Sequence, residues 1–119
     1  MAGWIGVDLD ATLAEYTRWK ADGSVGKPIP LMVNRVKKWI ASGKDVRIMT
    51  ARVSNSGRSD DGAAFVIEQR KIIEAWCLLH IGIILPITCE KDYQMYELWD
   101  DRSVQLIPNT GIAIDPKRN

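Results

Sequence analysis

Asp8 and Asp10, in the run Gly6-Val7-Asp8-Leu9-Asp10-Ala11-Thr12, are the residues whose type and spacing most directly imply chemistry. The apolar stretch Trp4-Ile5-Gly6-Val7 before them has the length of a buried strand. Both carboxylates therefore fall at a strand's C-terminal end, where open α/β sheets build their ligand sites. A second acidic pair, Asp100-Asp101, follows the strand-like run Tyr96-Glu97-Leu98-Trp99. With both strands in one parallel sheet, these acids converge on one edge. Two carboxylates about 4 Å apart repel by about 4 kcal/mol at an effective dielectric of about 20. Such a cluster calls for a cation, and its hard oxygen ligands suit Mg²⁺.

The elements that must position these acids follow from pattern. Residues 3–8 read as the first strand. Residues 13–28 are an excursion, with Asp22-Gly23 as a turn dipeptide and Pro28 and Pro30 closing it. A helix is expected from Pro30 to Ser42, because Ile29, Met32, Val33, Val36 and Ile40 follow helical spacing and Gly43 stops it. Asp45 to Thr50 reads as a second strand. Residues 51–62 form a polar loop, long enough to suggest function. Asp60 or Asp61 is expected to cap a helix over 63–80, with Phe65, Ile72, Ile73, Trp76 and Leu79 inward. Further strands are expected at Ile83–Ile87, Tyr96–Trp99 and Val104–Ile107. Strands alternating with helices indicate an α/β fold of three layers around a mainly parallel sheet.

At 119 residues the chain is expected to be one domain, 1–119, able to bury an ordinary core. Lys and Arg number 16 against 15 Asp and Glu, a net charge of +1, which argues against a dedicated nucleic-acid binder while leaving room for a local basic patch. No run approaches the roughly 18 apolar residues of a membrane span, and no basic-then-apolar signal precedes the first strand. The expected location is cytoplasmic, with no membrane partner. Cys77 and Cys89 lack metal-ligand spacing and would stay reduced there. Five tryptophans are many for this length; most belong in the core, and one or two could cover a subunit contact in a homo-oligomer.

The ordered set Asp8 and Asp10, Thr50, Lys91, then Asp100 and Asp101 resembles the haloacid dehalogenase (HAD) superfamily of phosphotransferases. Asp8-Leu9-Asp10-Ala11-Thr12 matches its first motif, Asp-x-Asp-x-Thr after an apolar strand. Ile48-Met49-Thr50 matches the second, Lys91 the third, and Leu98-Trp99-Asp100-Asp101 the fourth. The resemblance covers nearly the whole chain. It departs from the pattern in Ala11, where Gly is commoner, and in Lys91, which lies close before Asp100.

The resemblance implies a Rossmann-like, HAD-like fold without a cap domain, in which 13–28 is at most a flap. It implies a Mg²⁺-dependent phosphatase acting through an aspartyl-phosphate. Asp8 would attack phosphorus, and Asp10 would serve as acid and then base. Asp8, Asp100 and the backbone carbonyl of Asp10 would hold the metal, with Asp101 in support. Thr12, Thr50 and Lys91 would hold phosphoryl oxygens. An Asp at position 10 implies fast breakdown of the intermediate. Tyr16, Arg18, Trp19, Lys20, Arg52 and Arg58 are the residues to touch the leaving group, and an aromatic beside cations could grip a nucleotide or polynucleotide end. The expected partner is thus a phosphorylated small molecule or a nucleic-acid end.

Plain structural readings stand beside these. Thr50 could be an ordinary strand-end hydroxyl, Lys91 a solvated lysine and Arg102 the ion-pair partner of a nearby acid. Two other functions compete. A receiver-like phospho-acceptor signalling domain uses similar residues but places its acidic pair first, whereas Asp100-Asp101 comes last. A catalytically weak HAD-fold binding or regulatory protein would keep the acids without turnover.

Overall fold

The strand bearing Asp8 is the hub of the chain. The computed structural model describes residues 3–119, and within it β1 (Trp4–Asp8) pairs in parallel with β2 (Asp45–Met49) on one side and β4 (Met95–Trp99) on the other. Short β3 (Ile87–Thr88) adds to the far edge of β2, giving an all-parallel sheet of order β3-β2-β1-β4. Trp4 to Val7 are buried, as a strand flanked on both edges should be.

Two helices cover this sheet. α1 (Pro30–Ala41) starts at Pro30, whose missing N–H costs nothing in a first turn, and buries Met32, Val33 and Val36. Gly43 ends it in the left-handed region at φ 83°. α2 (Gly62–His80) buries Gln69, Ile73, Trp76 and Cys77. Both faces join one cluster with Ile5 and Val7 of β1 and Val46 and Ile48 of β2, residues that alternate onto one side of the pleat. The order β1-β2-β3 explains this: successive right-handed crossovers in one direction put their helices on the same face.

The expected third layer is absent among the described residues, because residues 89–94, which link β3 to β4, form no helix. On that uncovered face Trp4 is sheltered instead by the Arg47 guanidinium, 4.8 Å from its ring, and its indole N–H donates to Asp92 at 2.7 Å.

Three further expectations need correcting. The apolar run Ile83–Ile87 supplies only Ile87 to the sheet: Gly82 turns the chain at φ 99°, Ile83 and Ile84 are exposed, and Pro86 contributes just its carbonyl to Ile48 N–H. Val104–Ile107 is no sheet strand. It folds back on Ile112 and Ile114 through two backbone bonds around a turn with Asn109 at φ 66° and Gly111 at φ 73°. Leu79 is 77% exposed, since the buried stripe of α2 runs through Gln69, Ile73 and Trp76. Asp61 does stand at the α2 N-cap position, but its side chain makes no cap bond and accepts from the Ser59 hydroxyl instead.

The 13–28 excursion is a closed flap without helix. Its limbs are joined by Glu15 N–H to the Lys27 carbonyl at 2.8 Å and Ile29 N–H to the Leu13 carbonyl at 2.9 Å. Trp76 of α2 pins it by donating to the Gly26 carbonyl at 2.9 Å. Among the described residues, no helix is long and apolar enough to cross a membrane.

Candidate active site

The parallel register places the two acidic motifs side by side. Val7 pairs with Trp99, so Asp8 and Asp100 leave neighbouring strands at the same C-terminal edge. Carboxylate oxygens of Asp8, Asp100 and Asp101 all lie within 4.8 Å of one another. Oxygens bound about 2.1 Å from one octahedral ion are themselves about 3 to 4 Å apart, so small side-chain adjustments let the three acids share a divalent cation. Asp8 bears the electrostatic consequence of this crowding. Its carboxyl is pushed up to about 7 by burial, by its hydrogen bond with Asp101, and by the charges of Asp100 and Asp101. The Thr12 hydroxyl lies 3.5 Å from Asp8 Oδ2 and 3.3 Å from Asp101 Oδ1, which places it between the two acids. Asp100 is oriented by the Arg102 N–H, which donates to its Oδ1 at 2.6 Å.

Asp10 is held apart from this trio. Arg52 Nε donates to Asp10 Oδ2 and Nη2 to Oδ1, both at 2.8 Å, a bidentate pair. The remaining donors of Arg52 are also used: Nη1 to the Gly23 carbonyl at 2.7 Å and Gln69 Oε1 at 2.9 Å, and Nη2 to the Ser24 carbonyl at 3.2 Å. All N–H groups of the guanidinium therefore have partners, and the side chain is only 5% exposed. Arg52 thus ties the flap and α2 to Asp10, and it has no donor free for a substrate. The expectation that it contacts the leaving group is corrected on that ground. Each Asp10 oxygen keeps a second lone pair, where a proton can sit.

These groups face an open cavity of about 530 Å³ whose lining includes Asp8, Asp10, Thr50, Arg52, Asp100 and Asp101. Tyr16, Trp19, Arg58 and Arg102 also reach it. Thr50 is buried; its hydroxyl accepts from Arg52 N–H at 3.2 Å and caps the 3-10 turn Ala51–Val53. Trp19 lies over Arg52, with the guanidinium 4.7 Å from its ring. Arg58 donates to the Ser54 carbonyl at 2.6 Å and stacks 3.9 Å from the Phe65 ring.

Lys91, Lys20 and Thr12 do not line this cavity. Lys91 is exposed, while Cys89, two residues earlier, does line the cavity. Lys20 lines a neighbouring hollow. Arg102 makes no ion pair among the described residues, contrary to expectation, and turns to the cavity. Gln69, which fixes Arg52, carries no sequence signal beyond being a polar residue on the stripe of α2 that faces inward.

No protein-family model, curated protein or solved structure matches this chain.

Proposed function

We propose that the chain is a metal-dependent phosphomonoester hydrolase of the HAD type. The observation that carries this reading is the Asp8-Asp100-Asp101 trio at adjacent strand ends, with Asp8 opening on a cavity that also holds Asp10. A bound divalent cation, Mg²⁺ by the oxygen-only donor set, would neutralise the trio and the phosphate ester beside it.

The chain's own residues would act as follows. An ionised Asp8 oxygen forms a bond to phosphorus while the ester P–O bond breaks, and the departing alkoxide takes a proton from Asp10. A water oxygen then attacks phosphorus, its proton passes to Asp10, and the Asp8–phosphorus bond breaks to release inorganic phosphate. The covalent stage divides one hard displacement into two. Arg52 supports both stages by fixing the plane of the Asp10 carboxylate. Thr50 and Arg58 line the space beside Asp8 where phosphoryl oxygens would lie. Arg102 lines it too, and the two arginines would supply there the cation expected of Lys91.

The test is phosphate release from an aryl phosphate with and without Mg²⁺. Wild type should turn over only with the metal, and Asp8→Asn should lose at least about three orders of magnitude in rate. Turnover that survives Asp8→Asn removes the mechanism. Mg²⁺ binding without hydrolysis of any ester in a broad panel would instead favour a regulatory binding protein.

A further inference from the structure

The cavity containing Asp8 does not stop at the acids. It adjoins a second hollow of about 550 Å³, and Ala11 and Tyr16 line both. That second hollow is walled by both limbs of the flap, with Arg18, Lys20 and Lys27 as its cations and Glu15 as its single acid. The ion pairs among the described residues use Arg47 and Arg52, so Arg18, Lys20, Lys27, Arg58 and Arg102 all lack a carboxylate partner. The site thus has an acidic floor and a rim of unpaired cations that extends well past it.

One transferred phosphoryl group is served at the floor. Three cations against one carboxylate suit the second hollow to a leaving group that carries phosphates of its own. The aromatic residues have matching positions: Tyr16, 40% exposed, stands at the junction, and Trp19, 44% exposed, stands in the first cavity. Partly exposed aromatic rings beside a cationic groove are how single strands are held without sequence preference, and the Trp19 ring already carries Arg52 on one side.

We propose that the substrate is the phosphorylated end of a single-stranded nucleic acid. Its terminal phosphate lies at Asp8, its last base lies against Trp19 and Tyr16, and the following phosphodiesters run through the Arg18-Lys20-Lys27 hollow. The assignment rests on the hydrolase reading above. In the reaction the terminal P–O bond to the sugar breaks, water supplies the new P–O bond, and the strand leaves with a free hydroxyl.

The test compares oligothymidylate and oligouridylate carrying a 5′- or 3′-phosphate with the mononucleotides, p-nitrophenyl phosphate and a phosphoserine peptide. One oligonucleotide end should exceed its mononucleotide in kcat/KM by about tenfold or more, as stacking and added phosphate contacts require. Binding of the labelled oligonucleotide to Asp8→Asn, read by fluorescence anisotropy, should weaken about 20-fold between 50 and 200 mM salt if three phosphates are neutralised. The triple variant Arg18→Ala/Lys20→Ala/Lys27→Ala, checked for folding by circular dichroism, should lose most of that salt slope and lower the oligonucleotide-to-aryl-phosphate turnover ratio. Equal turnover of oligonucleotide and mononucleotide, a preference for the phosphopeptide, or an unchanged salt slope in the triple variant would each overturn the proposal. Salt-dependent oligonucleotide binding with no hydrolysis of any ester would overturn the hydrolase reading while supporting the docking surface.

Discussion

Replacing Arg52 should do more damage than replacing any other arginine of the chain. Its five N–H bonds reach Asp10, the Gly23 and Ser24 carbonyls and Gln69 Oε1. Arg52→Met keeps the bulk of the stem but leaves Asp10, itself 22% exposed, and buried Gln69 without their donor. Breaking a buried pair in this way costs about 3–5 kcal/mol. For a domain of this size each kcal/mol moves Tm by about 3–5 °C, so the expected fall is about 9–25 °C. Arg52→Lys should lie between, because an ammonium keeps the charge but cannot grip both Asp10 oxygens while reaching the flap carbonyls. Arg58→Ala, in an exposed loop, should move Tm by no more than about 2 °C. Thermal unfolding followed by circular dichroism reads all three. A fall of under about 4 °C for Arg52→Met would show that the guanidinium is not the tie between Asp10, the flap and α2.

The remaining predictions concern the acids and the loop that carries them. Since Asp8 has its carboxyl pushed up to about 7 from an unfolded value near 3.8, the native protein binds more protons than the unfolded chain in that window. In the metal-free protein the contribution of Asp8 to stability should therefore be complete below pH 4 and be lost as pH rises through about 7. The shift corresponds to about 4 kcal/mol at most, and solvent screening at an open site reduces it to about 2 kcal/mol. Unfolding in EDTA across this range should show the loss, and Asp8→Asn should remove it; an unchanged pH profile in that variant would contradict the assignment. Adding Mg²⁺ at about 100 times its dissociation constant at neutral pH should restore about 2.7 kcal/mol and release protons, measurable by calorimetry in buffers of different ionisation enthalpy. Ala11 sits in the left-handed region at φ 68°, where a Cβ costs about 1–2 kcal/mol. Ala11→Gly should raise Tm by a few degrees after the entropy of glycine is subtracted, and a lower Tm would mean the position is not strained.

Much of the site is legible in the sequence because it lies at the ends of short apolar runs. Trp4–Val7 and Tyr96–Trp99 read as strand, and parallel pairing then fixes where Asp8 and Asp100 emerge. α1 was equally readable, since its start, stripe and stop are each carried by local residues: Pro30, then Met32, Val33 and Val36, then Gly43. What escaped reading depends on distance. Nothing near Arg52 marks it as buried; its partners stand at positions 10, 23, 24 and 69, and a loop arginine without them would be solvated. The run at Ile83–Ile87 has strand composition, but Gly82 and Pro86 leave it only its last residue for pairing. The segment from Val104 to Ile114 pairs with itself instead of the sheet, because the turn at Pro108–Gly111 brings Gln105 and Ile107 against Ile112 and Ile114. Lys91 matches by order alone, and order does not say which way a side chain leaves an exposed link.

The most direct measurement of the central claim is to trap the covalent stage. Protein mixed with Mg²⁺ and an aryl phosphate, quenched in acid within the first turnovers and reduced with borohydride, should yield homoserine at position 8 and none in Asp8→Asn. Phosphate release at full rate with position 8 recovered only as aspartate would contradict the account.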